Sequence, residues 1–218
     1  MCAAIVAGVD VDGAGVTVMV SPTVRDTVHA TDQVVGELEE WQLAFGQGPC
    51  VDAFTAGGPV LVVDLGSPGY SARWPAFTPA ALDSGARAVF ALPMQVGAIR
   101  LGVLDLYRTR PGPLSSQELA DALIFADTAG MLLLDAGAQP DTTDLAWQRD
   151  DSTAHQAQVH QATGLILAQL GVSADVAFAR LRAYAYAQDR RLGEVARDVV
   201  ERRLRFEPDP PSSGQDEP

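Results

Sequence analysis

Lysine is absent from all 218 residues, so every one of the fifteen basic side chains is an arginine, set against 28 acids. The formal charge of −13 is unevenly spread. Residues 1–149 hold seven arginines and seventeen acids, 150–206 hold eight and seven, and the last twelve residues hold four acids and no base. Bulk charge therefore excludes tight nonspecific binding to nucleic acid, and only 150–206 does not repel a polyanion. With two cysteines, Cys2 and Cys50, neither a disulfide framework nor a metal site is expected. No apolar run approaches the ~20 residues of a membrane span, and the N-terminus lacks the basic region of a secretory signal. A cytoplasmic chain without a membrane partner is expected. Gly8, Gly13 and Gly15 are not followed by a helix that could receive a pyrophosphate. No Ser/His/Asp arrangement has a recognisable context either, so no catalytic residue, enzyme activity or cofactor is expected.

What is present is clearest between His155 and Phe206. Val159, Ala162, Leu165, Ile166 and Leu170 recur at helical spacing, which predicts one apolar face. Gly171 suits that helix's C-terminus, and Ser173 with Asp175 suits the next N-terminus. A second helix offers Ala177, Leu181, Tyr184 and Ala185, and a third Leu192, Val195, Ala196, Val199, Val200 and Leu204. Three short amphipathic helices make a small bundle. Gly164 costs about 1 kcal/mol relative to alanine in mid-helix. It is read either as a tolerated glycine or, with Ala157, Ala162 and Ala168, as a point of close helix approach.

These residues carry a resemblance. Gln161-Ala162-Thr163-Gly164-Leu165-Ile166, then Leu170-Gly171-Val172-Ser173, Ala177-Phe178 with Leu181-Arg182, and Leu192-Gly193-Glu194-Val195-Ala196 resemble an ANTAR domain, the three-helix RNA-binding module of bacterial antitermination regulators. The chain departs from that pattern at Thr163, where the family commonly has lysine, and so loses one phosphate contact.

Upstream, the order of elements predicts an α+β fold. A short helix ends near Gly8, and Val11–Gly15 reads as a turn. Strands are expected at Val16–Val20 and Asp26–Thr31, and a helix over Gln33–Phe45 with Val34, Leu38, Trp41, Leu43 and Phe45 inside and Glu37, Glu39 and Glu40 outside. A second helix starts at Pro49, a strand covers Pro59–Val63, and one helix after Tyr70 carries Trp74, Phe77, Ala81 and Leu82. A hairpin turns at Gly97-Ala98, and a final helix capped by Ser115 covers 116–134. Five or six mostly antiparallel strands with flanking helices follow. This order, with Asp12-Gly13-Ala14-Gly15, Gly46-Gln47-Gly48-Pro49-Cys50 and Gly102-Val103-Leu104-Asp105-Leu106-Tyr107, resembles a GAF domain. Such domains normally carry more helix ahead of the position of Cys2, so the first helix is either unusually short or truncated. The expected organisation is a GAF-like sensor over 1–136, a linker over 137–153 with a helical turn near Trp147, an ANTAR-like bundle over 154–206 and a disordered acidic tail over 207–218.

Cys50 is the ligand or redox candidate: a helix N-terminus favours a thiolate, while a small buried side chain is the alternative. The GAF resemblance raises methionine sulfoxide reduction, but only Cys2, at the chain start, could resolve Cys50. Cyclic-nucleotide-binding GAF domains carry an Asn-Lys-Phe-Asp-Glu signature that a chain without lysine cannot supply. His29 is a weak haem candidate. For RNA, the candidates are Arg180, Arg182, Arg190, Arg191, Arg197, Arg202 and Arg203, with Arg205 nearby. Guanidinium pairs with phosphate and stacks on splayed bases, although Asp189, Glu194, Asp198 and Glu201 interleave with them and offer ion pairs instead. Together the resemblances imply a signal-responsive antiterminator, a homodimer acting on RNA with tandem stem-loops, whose GAF half senses an unidentified small molecule or protein. The alternative is a ligand sensor whose helical block mediates dimerisation or protein docking without RNA.

Overall fold

The computed structural model of the chain describes residues 2–138, 151–188 and 190–207. By its internal contacts the chain divides into two compact units, Met1–Thr153 and Ala154–Pro218.

The first unit is built on one antiparallel sheet of five strands. These are β1 (Gly13–Met19), β2 (Arg25–Ala30), β3 (Val60–Val62), β4 (Ala88–Val96) and β5 (Ile99–Arg108), in the order β2-β1-β5-β4-β3. Successive side chains point to opposite faces of a strand. Ala14 and Val16 therefore share a face with Phe90, Leu92, Leu104 and Leu106, and this face packs against Ile5 of α1 (Cys2–Gly8) and Ala122, Ala126 and Ala129 of α6 (Ser116–Ala138). The other face carries Met19, Val89, Ala91, Val103 and Tyr107 and is covered by helices α2 (Gln33–Phe45), α3 (Pro49–Ala56), α4 (Pro68–Arg73) and α5 (Phe77–Asp83). The sheet is thus buried between two helical layers, as its long apolar strands require.

Local chemistry sets the helix ends. Asp32 caps α2, its carboxylate accepting from the Val35 amide at 3.0 Å, and Gly46 ends it in the left-handed region at φ 61°, where a missing Cβ removes the penalty. Pro49 stands in the first turn of α3, where its lacking N–H costs nothing. Ser115 and Glu118 form a reciprocal capping box at α6: the Glu118 amide donates to Ser115 Oγ at 3.2 Å, and the Ser115 amide donates to Glu118 Oε2.

Three details differ from the sequence expectations. β1 starts at Gly13 instead of Val16, because Gly13, Ala14 and Gly15 pair with Tyr107, Leu106 and Asp105 of β5; glycine is needed at 13 and 15, where atoms of Tyr107 and Val35 lie 2.4 and 2.6 Å from where a Cβ would stand. The single helix expected after Tyr70 is two, α4 and α5. Pro75 disfavours helical backbone at Trp74, which takes φ −132°, ψ 72°. Glu39 is not outside α2 but inside it, only 2% exposed. Val35, Leu38, Glu39 and Gln42 fall at i, i+3, i+4 and i+7, the positions of one helix face.

The second unit contains α7 (Asp151–Leu170), α8 (Ala174–Ala187) and α9 (Leu192–Val200). Ser173 caps α8 by accepting from the Val176 amide at 3.4 Å, and Gly171 takes φ 66°. Val159, Ala162 and Ile166 of α7 are buried, as are Phe178 and Leu181 of α8 and Leu192, Val195, Ala196 and Val199 of α9. Leu165, expected inside, is 37% exposed. Gly164 is also exposed, and no atom lies within 4 Å of the position its Cβ would take, so no close helix approach occurs there among the described residues. The linker expected over 137–153 overlaps the end of α6 and the start of α7. Its centre with Trp147, and the tail beyond Glu207, lie outside the described residues.

Candidate functional site

Two groups of residues have the chemistry for function, one in each unit. The first is a polar cluster inside the α2–α3 face of the sheet. Asp105 sits on the inner strand β5, between Gly15 of β1 and Ala91 of β4. Both neighbours are small, which leaves room above the strand. Into that room come Glu39 from α2 and Cys50 from α3, and one ligating atom from each of the three lies within 4.8 Å of the others. Burial is nearly complete: Cys50 is 0%, Glu39 2% and Asp105 5% exposed.

Neighbouring polar groups hold two of the three in place. Thr17 Oγ1 donates to Glu39 Oε2 at 2.9 Å, and Gln42 Nε2 reaches Glu39 Oε1 at 3.5 Å. Gln42 Oε1 accepts from the Cys50 amide at 2.7 Å, satisfying a first-turn donor of α3. Gly48, at φ 130°, makes this approach feasible, since Gln42 Oε1 lies 2.6 Å from where its Cβ would be. Arg25 of β2, itself buried, donates from Nη2 to the Glu39 carbonyl at 2.9 Å and from Nη1 to Cys50 Sγ at 3.8 Å. The Cys50 thiol also lies 3.8 Å from Met19 Sδ. By contrast, no donor from outside the cluster reaches either carboxyl oxygen of Asp105, whose polar neighbours are Glu39 and the Cys50 thiol.

Of the two readings of Cys50, this environment suits the small buried side chain. It does stand in the first turn of α3, but burial pushes its thiol well above the usual range, and the Asp105 and Glu39 carboxylates push it further. The nearby Arg25 acts in the opposite direction and is outweighed. Buried and protonated, the thiol is not an activated nucleophile. Cys2, the one potential resolving thiol, is also buried, and the two cysteines are not joined in a disulfide. Asp105 likewise holds its proton well above the ordinary carboxylate range, through burial first and the adjacent Glu39 second. Sequence reasoning missed Glu39, Arg25 and Asp105 as a group. The one local signal was an acid inside the apolar run Val103–Tyr107 of a strand buried on both faces.

The second group is the arginine surface of the helical unit. Arg180, Arg190, Arg191, Arg197, Arg202 and Arg203 are exposed, and Arg182 is half-buried with its guanidinium 5.7 Å from the Phe178 ring. Two of the seven are drawn together by one acid. Arg190 Nη2 and Arg203 Nη2 lie 2.8 and 2.6 Å from the Asp198 carboxylate, and Glu194 and Glu201 add further pairs to Arg190 and Arg203 respectively. Those cations hold the Asp198 carboxyl below the usual carboxylate range. Arg202 adopts φ 61°, just past the end of α9. Tyr184 packs edge-on against Phe206, whereas Tyr186 is 74% exposed. No single described helix is long and apolar enough to cross a membrane.

Comparison with known proteins gives two family matches, the GAF domain over residues 2–133 and the ANTAR domain over residues 150–200. No curated protein matches the chain. Among solved structures, the photoproduct state of GAF3 from Slr1393 of Synechocystis is 17% identical with a TM-score of 0.49, over 62% of this chain and 90% of that one. A type II free methionine-R-sulfoxide reductase from Thermoplasma acidophilum is 17% identical with a TM-score of 0.47, over 62% and 87%. The GAF-B domain of DevS from Mycobacterium smegmatis is 19% identical with a TM-score of 0.44, over 63% and 90%.

Proposed function

Because this chain belongs to the GAF domain family and carries an ANTAR domain, we propose that it is a signal-responsive regulator that binds structured RNA and so prevents transcription termination. The observation that carries the reading is the pairing of a sensor-type domain with a helical unit whose exposed face is rich in arginine. Exposed guanidinium groups suit phosphates and unstacked loop bases, and Tyr186 offers a stacking face beside them. The near-neutral charge of 150–206 means that recognition rests on placed contacts more than on bulk attraction.

In this reading the regulator is a cytoplasmic homodimer acting on RNA with tandem stem-loops. Exposed Ile124, Met131 and Leu132 on α6, and Leu165 and Leu167 on α7, supply apolar surface for the dimer contact. A signal at the GAF domain would shift the population between RNA-competent and incompetent arrangements.

The test is binding of the full chain to a tandem stem-loop RNA, with a loop-scrambled RNA and duplex DNA as controls, at two salt concentrations. Loop-dependent binding that weakens on replacing Arg190 and Arg191 by alanine is expected. The ion pairs around Asp198 favour a second reading, in which these arginines brace the bundle and the helical unit docks protein. Absence of RNA binding by a demonstrated dimer would select it.

A further inference from the structure

We propose that Glu39, Cys50 and Asp105 form a buried site for one divalent first-row transition-metal ion, held by two carboxylates and a thiolate. The site lies wholly within the GAF unit and does not depend on RNA binding by the helical unit.

Three donors from α2, α3 and β5 converge so that one ligating atom of each lies within 4.8 Å of the others. Around a tetrahedral ion with metal–sulfur and metal–oxygen bonds of about 2.3 and 2.0 Å, such atoms stand roughly 3.5 Å apart. Binding therefore draws the donor atoms together by up to about 1.3 Å. The second observation is independent of the clustering. Asp105 is buried, and no group outside the cluster donates to either of its carboxyl oxygens, which is costly unless a proton or a cation accompanies them.

The donor chemistry selects the cation. A sulfur donor and only three side chains argue against calcium or magnesium, which take six or more oxygens, calcium mostly from protein and magnesium largely from water. Thiolate with carboxylates suits the zinc and cobalt class. Charge agrees: three ionised donors and the Arg25 guanidinium leave a formal deficit that one divalent ion cancels. Ligation requires the thiolate and both carboxylates, so the Cys50 and Asp105 protons leave to solvent as the metal–sulfur and metal–oxygen bonds form. Around the donors, Thr17 and Gln42 fix the Glu39 carboxylate, and Gln42 also holds the Cys50 amide. Such outer contacts orient ligands in metal sites.

The experiment uses the full chain without a histidine tag, unfolded in urea with chelator and refolded with Co2+, so that burial does not block loading. Expected are a thiolate-to-cobalt charge-transfer absorption in the near ultraviolet, saturating at one equivalent, and its loss on adding Zn2+. Cys50→Ser should abolish the band and Cys2→Ser should keep it. Asp105→Asn and Glu39→Gln should each weaken Co2+ binding about tenfold or more. Circular dichroism checks that each variant folds; if Cys50→Ser does not, the Cys2→Ser and Asp105→Asn pair still decides. A refolded wild-type chain without the band overturns the proposal, as does a band that survives Cys50→Ser or is lost in Cys2→Ser.

Discussion

The Thr17 hydroxyl donates to Glu39 Oε2 at 2.9 Å, joining the middle of β1 to the inner face of α2 through a buried carboxylate. Thr17 also lies 3.2 Å from the Thr27 hydroxyl on β2, so one side chain ties two strands and a helix. A hydrogen bond to a charged group contributes about 1.5–3 kcal/mol when its loss leaves the acceptor buried. Thr17→Val keeps the shape and removes the donor. Urea unfolding should therefore show a loss of about 2 kcal/mol, and a loss near zero would mean that Glu39 does not need the bond.

Asp105 gives stability a pH dependence of unusual sign for a carboxylate. Its folded pKa lies above that of the unfolded chain, which is about 3.9. Folding therefore takes up a proton between those two values. The contribution is fully present below about pH 3.9 and is lost as pH rises through the folded pKa. In metal-free protein, Asp105→Asn should flatten this fall and be more stable than the wild type at neutral pH. Urea midpoints measured from pH 5 to 8 test it; parallel profiles for the two proteins would rule it out.

Both cysteines are buried, and Cys50 is held protonated by its surroundings. Neutral iodoacetamide should leave the native chain unmodified over the time in which the urea-unfolded chain reacts at both thiols. Mass spectrometry reads the difference. Rapid alkylation of native Cys50 would restore the thiol-enzyme reading.

The fold was legible where one rule acts at a time. Long apolar runs on either side of Gly97-Ala98 marked β4 and β5, and turn and cap residues such as Gly46, Ser115 and Ser173 set helix ends. The helical block was legible from the spacing of Val159, Ala162 and Ile166. The polar cluster was not, because its members are 39, 50 and 105 in sequence and meet only through the register of β5 with β1 and β4. Glu39 shows the difficulty in a single residue. Its type argues for solvent, its helical phase for the core, and the hydroxyl of Thr17 lets phase prevail. The break between α4 and α5 was readable in principle from Pro75, but the apolar spacing of Trp74, Phe77 and Ala81 runs across it.

Arg190 and Arg203 face a choice between Asp198 and phosphate. Both guanidinium groups lie within 3 Å of that carboxylate, and a phosphate group arriving at either competes with it for N–H donors. Exposed ion pairs contribute little to stability, so Asp198→Ala should leave the helical unit folded while freeing the donors of two arginines that face Asp198, their pairs with Glu194 and Glu201 remaining, and removing one repelling charge. If the arginines contact RNA, affinity for the tandem stem-loop should rise. The dependence on salt should also steepen, by up to about 0.7–0.9 in log–log slope for each new phosphate contact. Adding Arg190→Ala and Arg203→Ala to that variant should reverse both effects. Unchanged affinity and slope in Asp198→Ala would remove these two residues from the RNA surface and leave Arg180, Arg182, Arg191, Arg197 and Arg202 to carry it.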